Sequence, residues 1–303
     1  MCAMCASLLS DQLVPREGSV PVENAELYYR DVGQERPIIL LHGGPDFDHN
    51  YLLPDMDRLS AAFRLIYYDQ RGRGKSAGNV QPEEVSLHSE IDDLERLRAY
   101  FQLESVAVLG HSWGGVLAME YALRHPDRVS HLILLNTAPA SHDDYLLLRQ
   151  ERRAKAPDDM ELQRVLASRP AYVEGDLEAE AAYYRIQYRA TLRPPELLDR
   201  LIAHLRVGGT NEGILKARAI EDRLYDETWA LSEYDLLPQL IHLRIPTLIV
   251  HGEYDLVPRE CAAHIAQAMP AARLVLLHDC GHFSYMECPE AVRNALADFF
   301  HGT

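Results

Sequence analysis

The chain has 303 residues, 47% of them hydrophobic, which is enough for one large α/β domain or two small ones with a substantial core. Its formal net charge of -16 would repel nucleic-acid phosphates and anionic membrane surfaces, so we expect neither as a partner. No run of residues approaches the roughly 18 continuous apolar positions of a membrane span, and no signal peptide is recognisable. Five cysteines without metal-ligand spacing favour free thiols, and the sequence predicts a cytoplasmic protein.

Short apolar runs along the chain predict seven β-strands. In chain order they cover residues 25 to 32, 37 to 44, 63 to 70, 105 to 112, 129 to 136, 246 to 253 and 272 to 279. The later runs are apolar at nearly every position, which is typical of strands covered by helices on both faces. The sequence therefore predicts an α/β fold with a mostly parallel, doubly wound sheet.

The helical pattern is clearest at residues 83 to 101, where apolar side chains recur at helical spacing. Residues 141 to 240 contain arginine- and glutamate-rich helical stretches and no convincing strand, so we expect an inserted helical cap there. The cap would divide the core into residues 1 to 140 and 241 to 303. Residues 1 to 20 are expected to be a flexible or loosely attached segment.

The motif "GHSWG" at residues 110 to 114 fits the pattern G-x-S-x-G. It lies between a predicted buried strand and a predicted helix, where glycines allow the sharp turn that pushes a serine hydroxyl outward. This context identifies Ser112 as a candidate nucleophile. A serine hydroxyl needs a base to remove its proton, and the base needs a carboxylate to orient it.

Both partners occur later in the chain. "HGEYD" places Asp255 just past a predicted strand, and "DCGHF" places His282 after the next one. Asp279 is the nearest rival for the acid, but it is too close in sequence to approach His282 from the neighbouring strand. Asn136, at the other common position for the acid, cannot carry the charge. The sequence thus predicts a triad of Ser112, Asp255 and His282.

The reaction also needs N–H donors for a developing oxyanion. The backbone N–H of Trp113, directly after the serine, is one candidate. The glycine-rich turn "HGGP" is expected to supply a second donor from Gly44 or its neighbour.

Together, "HGGPD", "YDQRGRGKS", "GHSWGG", "HGEYD" and "DCGHFSYMECPE" resemble the α/β-hydrolase superfamily, and within it the proline iminopeptidases, which release N-terminal proline from peptides. The resemblance covers roughly residues 20 to 140 and 240 to 300. It implies the α/β-hydrolase fold and a substrate amine bound by glutamates of the cap. "KARAIEDRLY" is similar to one amine-binding motif and nominates Glu221, whereas Glu212 in "GGTNEG" resembles another form of that motif. At the other motif, "QYRATL" has Tyr188 and Arg189 in place of Trp and Glu.

The resulting hypothesis is a serine hydrolase, a proline iminopeptidase acting on small peptides through an acyl-enzyme. An esterase or lactonase acting on small esters is the first alternative, and a ligand-binding receptor on a hydrolase fold is the second. No cofactor or metal is expected, because the histidines and cysteines lack ligand spacing.

Overall fold

The computed structural model describes residues 14–205 and 209–302, which contain an eight-stranded sheet. The strands are β1 (Arg16–Val22), β2 (Ala25–Val32), β3 (Arg36–Leu41), β4 (Phe63–Tyr68), β5 (Val106–His111), β6 (Val129–Leu135), β7 (Thr247–Gly252) and β8 (Ala272–Leu277). Their order across the sheet is β1-β2-β4-β3-β5-β6-β7-β8. Strand β2 runs antiparallel to β1 and β4, and the other neighbouring pairs are parallel. The predicted mostly parallel sheet is confirmed.

The strand β1 was not predicted from the sequence. Its residues, "REGSVPV", include a glycine and a proline, and most of them are exposed because β1 is an edge strand. Residues 16 to 20 pair with β2, so the expectation of a loosely attached segment is wrong for them. Residues 1 to 13, the rest of that segment, lie outside the described residues.

Twelve α-helices occur in the described residues. They are α1 (Leu87–Tyr100), α2 (Trp113–Arg124), α3 (His142–Lys155), α4 (Pro157–Ala167), α5 (Pro170–Val173), α6 (Leu177–Tyr188), α7 (Leu197–Leu205), α8 (Asn211–Asp226), α9 (Leu237–Leu240), α10 (Arg259–Ala268), α11 (Ser284–Glu287) and α12 (Pro289–Gly302). The helix predicted at residues 83 to 101 begins later than expected. Ser86 caps it by accepting a hydrogen bond from the backbone N–H of Ser89.

Helices cover both faces of the sheet, as the continuous apolar strands predict. Successive residues of β3 belong to different core clusters: Ile39 and Leu41 pack with α1 and α2, and Ile38 and Leu40 pack on the face that α12 covers. Both clusters are buried, so burial of apolar surface holds the helices on the sheet.

Helices α3 to α9 lie between β6 and β7, and no strand occurs there among the described residues of 141 to 240. The chain leaves and re-enters the core at one place: the N–H of His142 donates to the Tyr234 carbonyl at 2.8 Å, and the N–H of Leu236 donates to the Ala140 carbonyl at 3.0 Å. On these contacts we propose that residues 141 to 240 form the expected cap.

Strand register brings the loops of the site together. Leu41 at the end of β3 pairs with Gly110 of β5, His111 pairs with Leu135 of β6, and Leu135 pairs with Val250 of β7. The loops that follow these strands therefore emerge side by side at the carboxyl edge of the sheet, where open α/β sheets bind ligands.

Within the two described ranges, none of the helices has the length and apolarity that crossing a bilayer requires. Cys261, Cys280 and Cys288 are free thiols. The cytoplasmic location stays a prediction.

Candidate active site

Ser112 lies on the turn between β5 and α2, with φ 54° and ψ -119°. This unusual conformation is held by hydrogen bonds: the N–H of Ser112 donates to the Leu135 carbonyl at 3.1 Å, and its carbonyl accepts from Gly115 N–H at 2.9 Å. A Cβ at Gly110 would lie 2.1 Å from the Gly114 carbonyl oxygen, so the turn requires a glycine there. The surrounding backbone thus fixes the strained serine in place.

Ser112, His282 and Asp255 form a chain of hydrogen bonds. The Ser112 Oγ lies 3.1 Å from Nε2 of His282, and Nδ1 of His282 lies 2.7 Å from Oδ1 of Asp255. The imidazole is almost buried and the carboxylate fully so, at 3% and 0% side-chain exposure. Because the carboxylate can only accept, Nδ1 carries a proton and Nε2 is free to accept from the serine. The structure therefore brings the three predicted residues together.

The surroundings of Asp255 favour its charged form. Burial alone would raise its pKa, but the electrostatic interactions with the His282 and His251 rings and the hydrogen bonds from His282 and Val257 lower the pKa to about 2. The backbone N–H of Val257 donates to Oδ1 at 2.9 Å, and Asn136 Nδ2 donates to Oδ2 at 2.8 Å. The carboxylate is therefore ionised at neutral pH.

Asn136, rejected as the acid, supports the acid instead. Its buried amide donates to Asp255 and also to the Gly281 carbonyl at 3.0 Å, and its Oδ1 accepts from Ser284 Oγ at 2.5 Å. The side chain thus ties Asp255 to the loop that carries His282. Sequence reasoning missed this role, although the position at the end of β6 was a usable signal.

In the described residues, the rival acid, Asp279, forms no hydrogen bond with the imidazole. Its side chain is exposed, and its backbone has φ 51°. Among the described residues, the carboxylate hydrogen-bonded to His282 is that of Asp255.

A second hydrogen-bond chain joins three loops of the site. The N–H of Gly43 donates to Tyr51 Oη at 2.7 Å, and that hydroxyl donates to His111 Nδ1 at 2.7 Å. His111 Nε2 donates to the His282 carbonyl at 2.9 Å. Burial has the largest effect and, with the electrostatic interaction with the neighbouring His282 ring, lowers the pKa of His111 to about 3, so the His111 ring is neutral, as these bonds require. This chain was not predicted, because Tyr51 carries no motif.

Glu287 braces the loop that carries His282. Its Oε1 accepts from the N–H of Phe283 at 2.8 Å, and Oε2 accepts from the N–H of Gly281 at 3.0 Å. Oε2 also accepts from the N–H of Arg193, 2.6 Å away in the segment between α6 and α7. One partly buried carboxylate therefore connects the segment between α6 and α7 to both neighbours of His282.

Of the two predicted oxyanion donors, Trp113 directly follows the serine and Gly44 lines the same cavity as the serine. Trp113 begins α2, so its N–H belongs to the first turn, where backbone donors have no partner inside the helix. Gly44 lines the same cavity as Ser112 and has φ +118°. A Cβ at neighbouring Gly43 would lie 2.9 Å from Ser112 Cβ, so this loop packs directly on the serine.

A cavity of about 590 Å³ opens onto Ser112 and His282, with the cap forming much of its wall. Its aromatic lining consists of Tyr145, Tyr172, Tyr183, Tyr188, Tyr225 and Trp229, and its charged lining of Arg149, Arg152, Arg218, Glu221 and Asp222. The site therefore offers flat apolar surfaces together with charges of both signs.

The structure separates the two glutamates nominated from the sequence. Glu221 is half-buried and lines the cavity, and its charge raises the pKa of Tyr183, on which burial has the larger effect. Glu212 is exposed in the first turn of α8 and does not line the cavity. Nine helical residues span about two and a half turns, so the two side chains project from opposite faces of α8.

At the altered motif, only the tyrosine faces the site. Tyr188 is buried, lines the cavity and lies parallel to the His282 ring at 6.4 Å between centroids. Arg189 instead forms an ion pair with Asp159 and has 47% side-chain exposure. The arginine therefore does not place its charge in the cavity.

Among residues 14–205 and 209–302, Asp48, His49 and Asp69 form a buried group close enough to hold a metal ion. Asp69 Oδ1 already accepts from the backbone and ring of His49, and Oδ2 accepts from Lys75 N–H at 2.8 Å. Asp48 Oδ1 accepts from Asn50 N–H at 2.8 Å. We interpret this group as a hydrogen-bond network that holds the loops after β3 and β4.

The chain belongs to the α/β-hydrolase family, whose model, described as an alpha/beta hydrolase fold, matches residues 36–289. It is an enzyme, a hydrolase. Within the family it is similar to the proline iminopeptidase of Levilactobacillus brevis, at 30% identity over 94% of this chain and 96% of that protein. It is 28% identical to the proline iminopeptidase of Lactobacillus helveticus, over 89% of this chain and 92% of the relative.

A solved structure, the proline iminopeptidase of Mycobacterium smegmatis, has the same fold. The TM-score is 0.72 at 22% identity, over 95% of this chain and 98% of that one. The resemblance drawn from the sequence motifs is thereby confirmed.

Proposed function

We propose that this hydrolase releases N-terminal proline from small peptides through Ser112, His282 and Asp255. The observation that carries the proposal is the hydrogen-bonded chain of these three side chains at a cavity of about 590 Å³. Relatives named proline iminopeptidase, matched over most of the chain, support the choice of substrate.

The geometry suits acyl transfer. His282 Nε2 takes the proton of Ser112 as its Oγ attacks the substrate carbonyl, and ionised Asp255 stabilises the imidazolium that forms. The imidazolium then gives its proton to the leaving amine. Water, activated by the same imidazole, hydrolyses the acyl-enzyme and frees the serine.

The backbone N–H groups of Trp113 and Gly44 stabilise the oxyanion in this proposal. The rigid turn around Ser112 and the packing of Gly43 on that serine keep the donors in place before the reaction begins. Donors that need no reorganisation contribute most to lowering the barrier.

Glu221 is the proposed partner of the substrate's protonated amine. It lies in the cavity near Tyr183 and Tyr188, and both tyrosines experience its negative charge. Leu256 and Val257 offer apolar surface in the same cavity for a pyrrolidine ring. A charge-assisted hydrogen bond in such surroundings stabilises the bound substrate by about 1.5 to 3 kcal/mol.

The triad is tested by labelling and turnover. A fluorophosphonate should label the wild-type enzyme and not Ser112→Ala, and Ser112→Ala should lower kcat on a prolyl arylamide by at least roughly 10³-fold. Near-normal turnover by Ser112→Ala would contradict the proposed nucleophile. A wild-type protein that is neither labelled nor active would instead be a binding protein.

The amine site is tested with a matched pair on α8. Glu221→Ala should reduce kcat/KM for the prolyl arylamide roughly tenfold to a hundredfold, with little change for an uncharged short-chain ester. Glu212→Ala removes the same group from the opposite, exposed face and should leave both substrates unaffected. Equal losses on both substrates in Glu221→Ala would assign that residue a structural role.

An esterase or lactonase is the second candidate, favoured by one observation. Residue 189 is an arginine that pairs with Asp159 outside the cavity, so no carboxylate comes from that position. A higher kcat/KM for the short-chain ester than for the prolyl arylamide, with no effect of Glu221→Ala on either, would favour this alternative.

A further inference from the structure

We propose that an arginine-lined cavity beside the catalytic cavity binds the carboxylates of the departing peptide, so that the preferred substrates are short acidic peptides. This inference rests on the proposed function and names the chemistry of the leaving group. It concerns arginine side chains that have no role in the proposed triad or in the proposed amine site.

The second cavity has a volume of about 580 Å³ and is lined by residues of α3 and α4. Tyr145, Arg149, Arg152 and Tyr183 line both this cavity and the catalytic one. The two spaces are therefore neighbours, and a ligand that extends from Ser112 past these side chains enters the second.

Three arginines of α3 dominate the charge of this region. None of the ion pairs found in residues 14–205 and 209–302 involves Arg149, Arg152 or Arg153. Arg153 lines the second cavity together with the two shared arginines. Their charges face a space large enough for a ligand.

The other charges around the two cavities are largely balanced. Arg164 donates two hydrogen bonds to Glu161, at 2.8 and 2.6 Å, and Arg218 forms an ion pair with buried Glu180. Glu221 and Asp222 supply the negative charges of the catalytic cavity. The arginines of α3 therefore remain as the positive charges available to a ligand.

Arg152 is held in position by neighbouring side chains. It donates to Oε1 of buried Gln163 at 3.0 Å, and Gln163 Nε2 donates to Oε1 of Gln187 at 3.1 Å. Gln187 lines the catalytic cavity, so this chain links the arginine to the catalytic cavity. A guanidinium held in one orientation loses less entropy when it binds a carboxylate.

Carboxylate is the ligand chemistry that this surface fits best. Paired N–H donors of arginine match the two oxygens of a carboxylate, and the aromatic rings of Tyr145 and Tyr183 can contact the peptide between the charges. The chain as a whole carries a net charge of -16, so a positively charged wall is a local exception. A short peptide with a C-terminal carboxylate or an acidic side chain offers a carboxylate to the arginines and a peptide chain to the tyrosine rings.

The test measures binding and turnover separately. Calorimetric titration of the full-length enzyme would compare glycylglutamate with the neutral-ended glycylglutamine amide, which lacks both carboxylates. Turnover would be compared on the same two peptides carrying an N-terminal proline. The variants are Arg149→Gln, Arg152→Gln and Arg152→Lys, with Lys155→Gln as the matched control, because Lys155 is a cation of α3 that lines neither cavity.

We expect glycylglutamate to bind at least about tenfold more tightly than the amide, the scale of one charge-assisted contact. Arg149→Gln and Arg152→Gln should remove most of this preference, Arg152→Lys should retain part of it, and Lys155→Gln should leave it unchanged. Melting temperatures would verify that the variants are folded.

Equal binding of the two ligands, or arginine variants that behave like Lys155→Gln, would overturn the inference. Release of proline at equal rates from acidic and neutral peptides would also overturn it while leaving the proposed function intact. Preferential binding of glycylglutamate without release of proline from any peptide would instead refute the proposed function and leave the arginine site standing.

Discussion

Removal of the Tyr51 hydroxyl should weaken both the fold and the reaction. In Tyr51→Phe the buried N–H of Gly43 and Nδ1 of His111 lose their shared partner, which lies 2.7 Å from each. Each unsatisfied buried group costs about 1 to 3 kcal/mol, so we expect a loss of about 3 kcal/mol in the free energy of unfolding. Domains are stable by about 5 to 15 kcal/mol, so the variant should fold.

The loss is measurable by thermal denaturation. An unfolding entropy of about 2.1 cal/mol/K per residue over the 303 residues converts about 3 kcal/mol into a fall in Tm of about 5 °C. Because Gly43 packs on Ser112 and precedes the proposed oxyanion donor, kcat for a prolyl arylamide should also fall, by roughly tenfold. Complete loss of an oxyanion donor lowers kcat by about 10²- to 10³-fold. In Tyr51→Phe the donor is still present and is only held less rigidly, so the decrease should be smaller. KM should change little.

Tyr68→Phe is the matched control for this prediction. Tyr68 is also buried, and its hydroxyl has no hydrogen-bond partner among the described residues. Its removal should therefore leave kcat unchanged and Tm nearly so. If Tyr51→Phe melts within about 1 °C of the wild type and keeps its kcat, the proposed bracing of the site by this hydroxyl is refuted.

Three further substitutions, one of them a control, test how the imidazole is supported. Asn136→Ala removes a hydrogen-bond donor from buried, ionised Asp255, so kcat/KM should fall roughly tenfold to a hundredfold in steady-state kinetics. An unchanged kcat/KM would mean that the backbone alone orients the acid. Asp255→Asn should lower kcat by about 10⁴-fold, because the amide cannot stabilise the imidazolium, whereas exposed Asp279→Asn should have almost no effect. The opposite ranking would identify Asp279 as the acid.

Local patterns in the sequence determined much of the architecture. Continuous apolar runs predicted seven of the eight strands in the described residues, because buried parallel strands need apolar side chains on both faces. The positions of Ser112, Asp255 and His282 followed from motifs at strand ends. Parallel strands deliver their carboxyl ends to one edge of the sheet, so residues far apart in sequence could be grouped before their distances were known.

The edge strand of the sheet and the exact ends of the strands were harder to predict from the sequence. The strand β1 carries a mixed, mostly exposed pattern, and its pairing with β2 stabilises it although its own composition does not favour a strand. The strand expected to run to residue 44 ends at Leu41, because the chain turns back on itself at Gly44. Such ends depend on which backbone groups find partners, and a single segment does not contain that information.

Only the tertiary structure decided which side chains support the site. Tyr51 and His111 are 60 residues apart and Asn136 and Asp255 are 119 apart, and no motif in the sequence joins the members of either pair. The choice between Glu221 and Glu212 depended on which face of α8 meets the core. The outward direction of Arg189 depended on where α6 ends. Side-chain direction depends on how a helix is rotated against its neighbours, and packing across the whole fold sets that rotation.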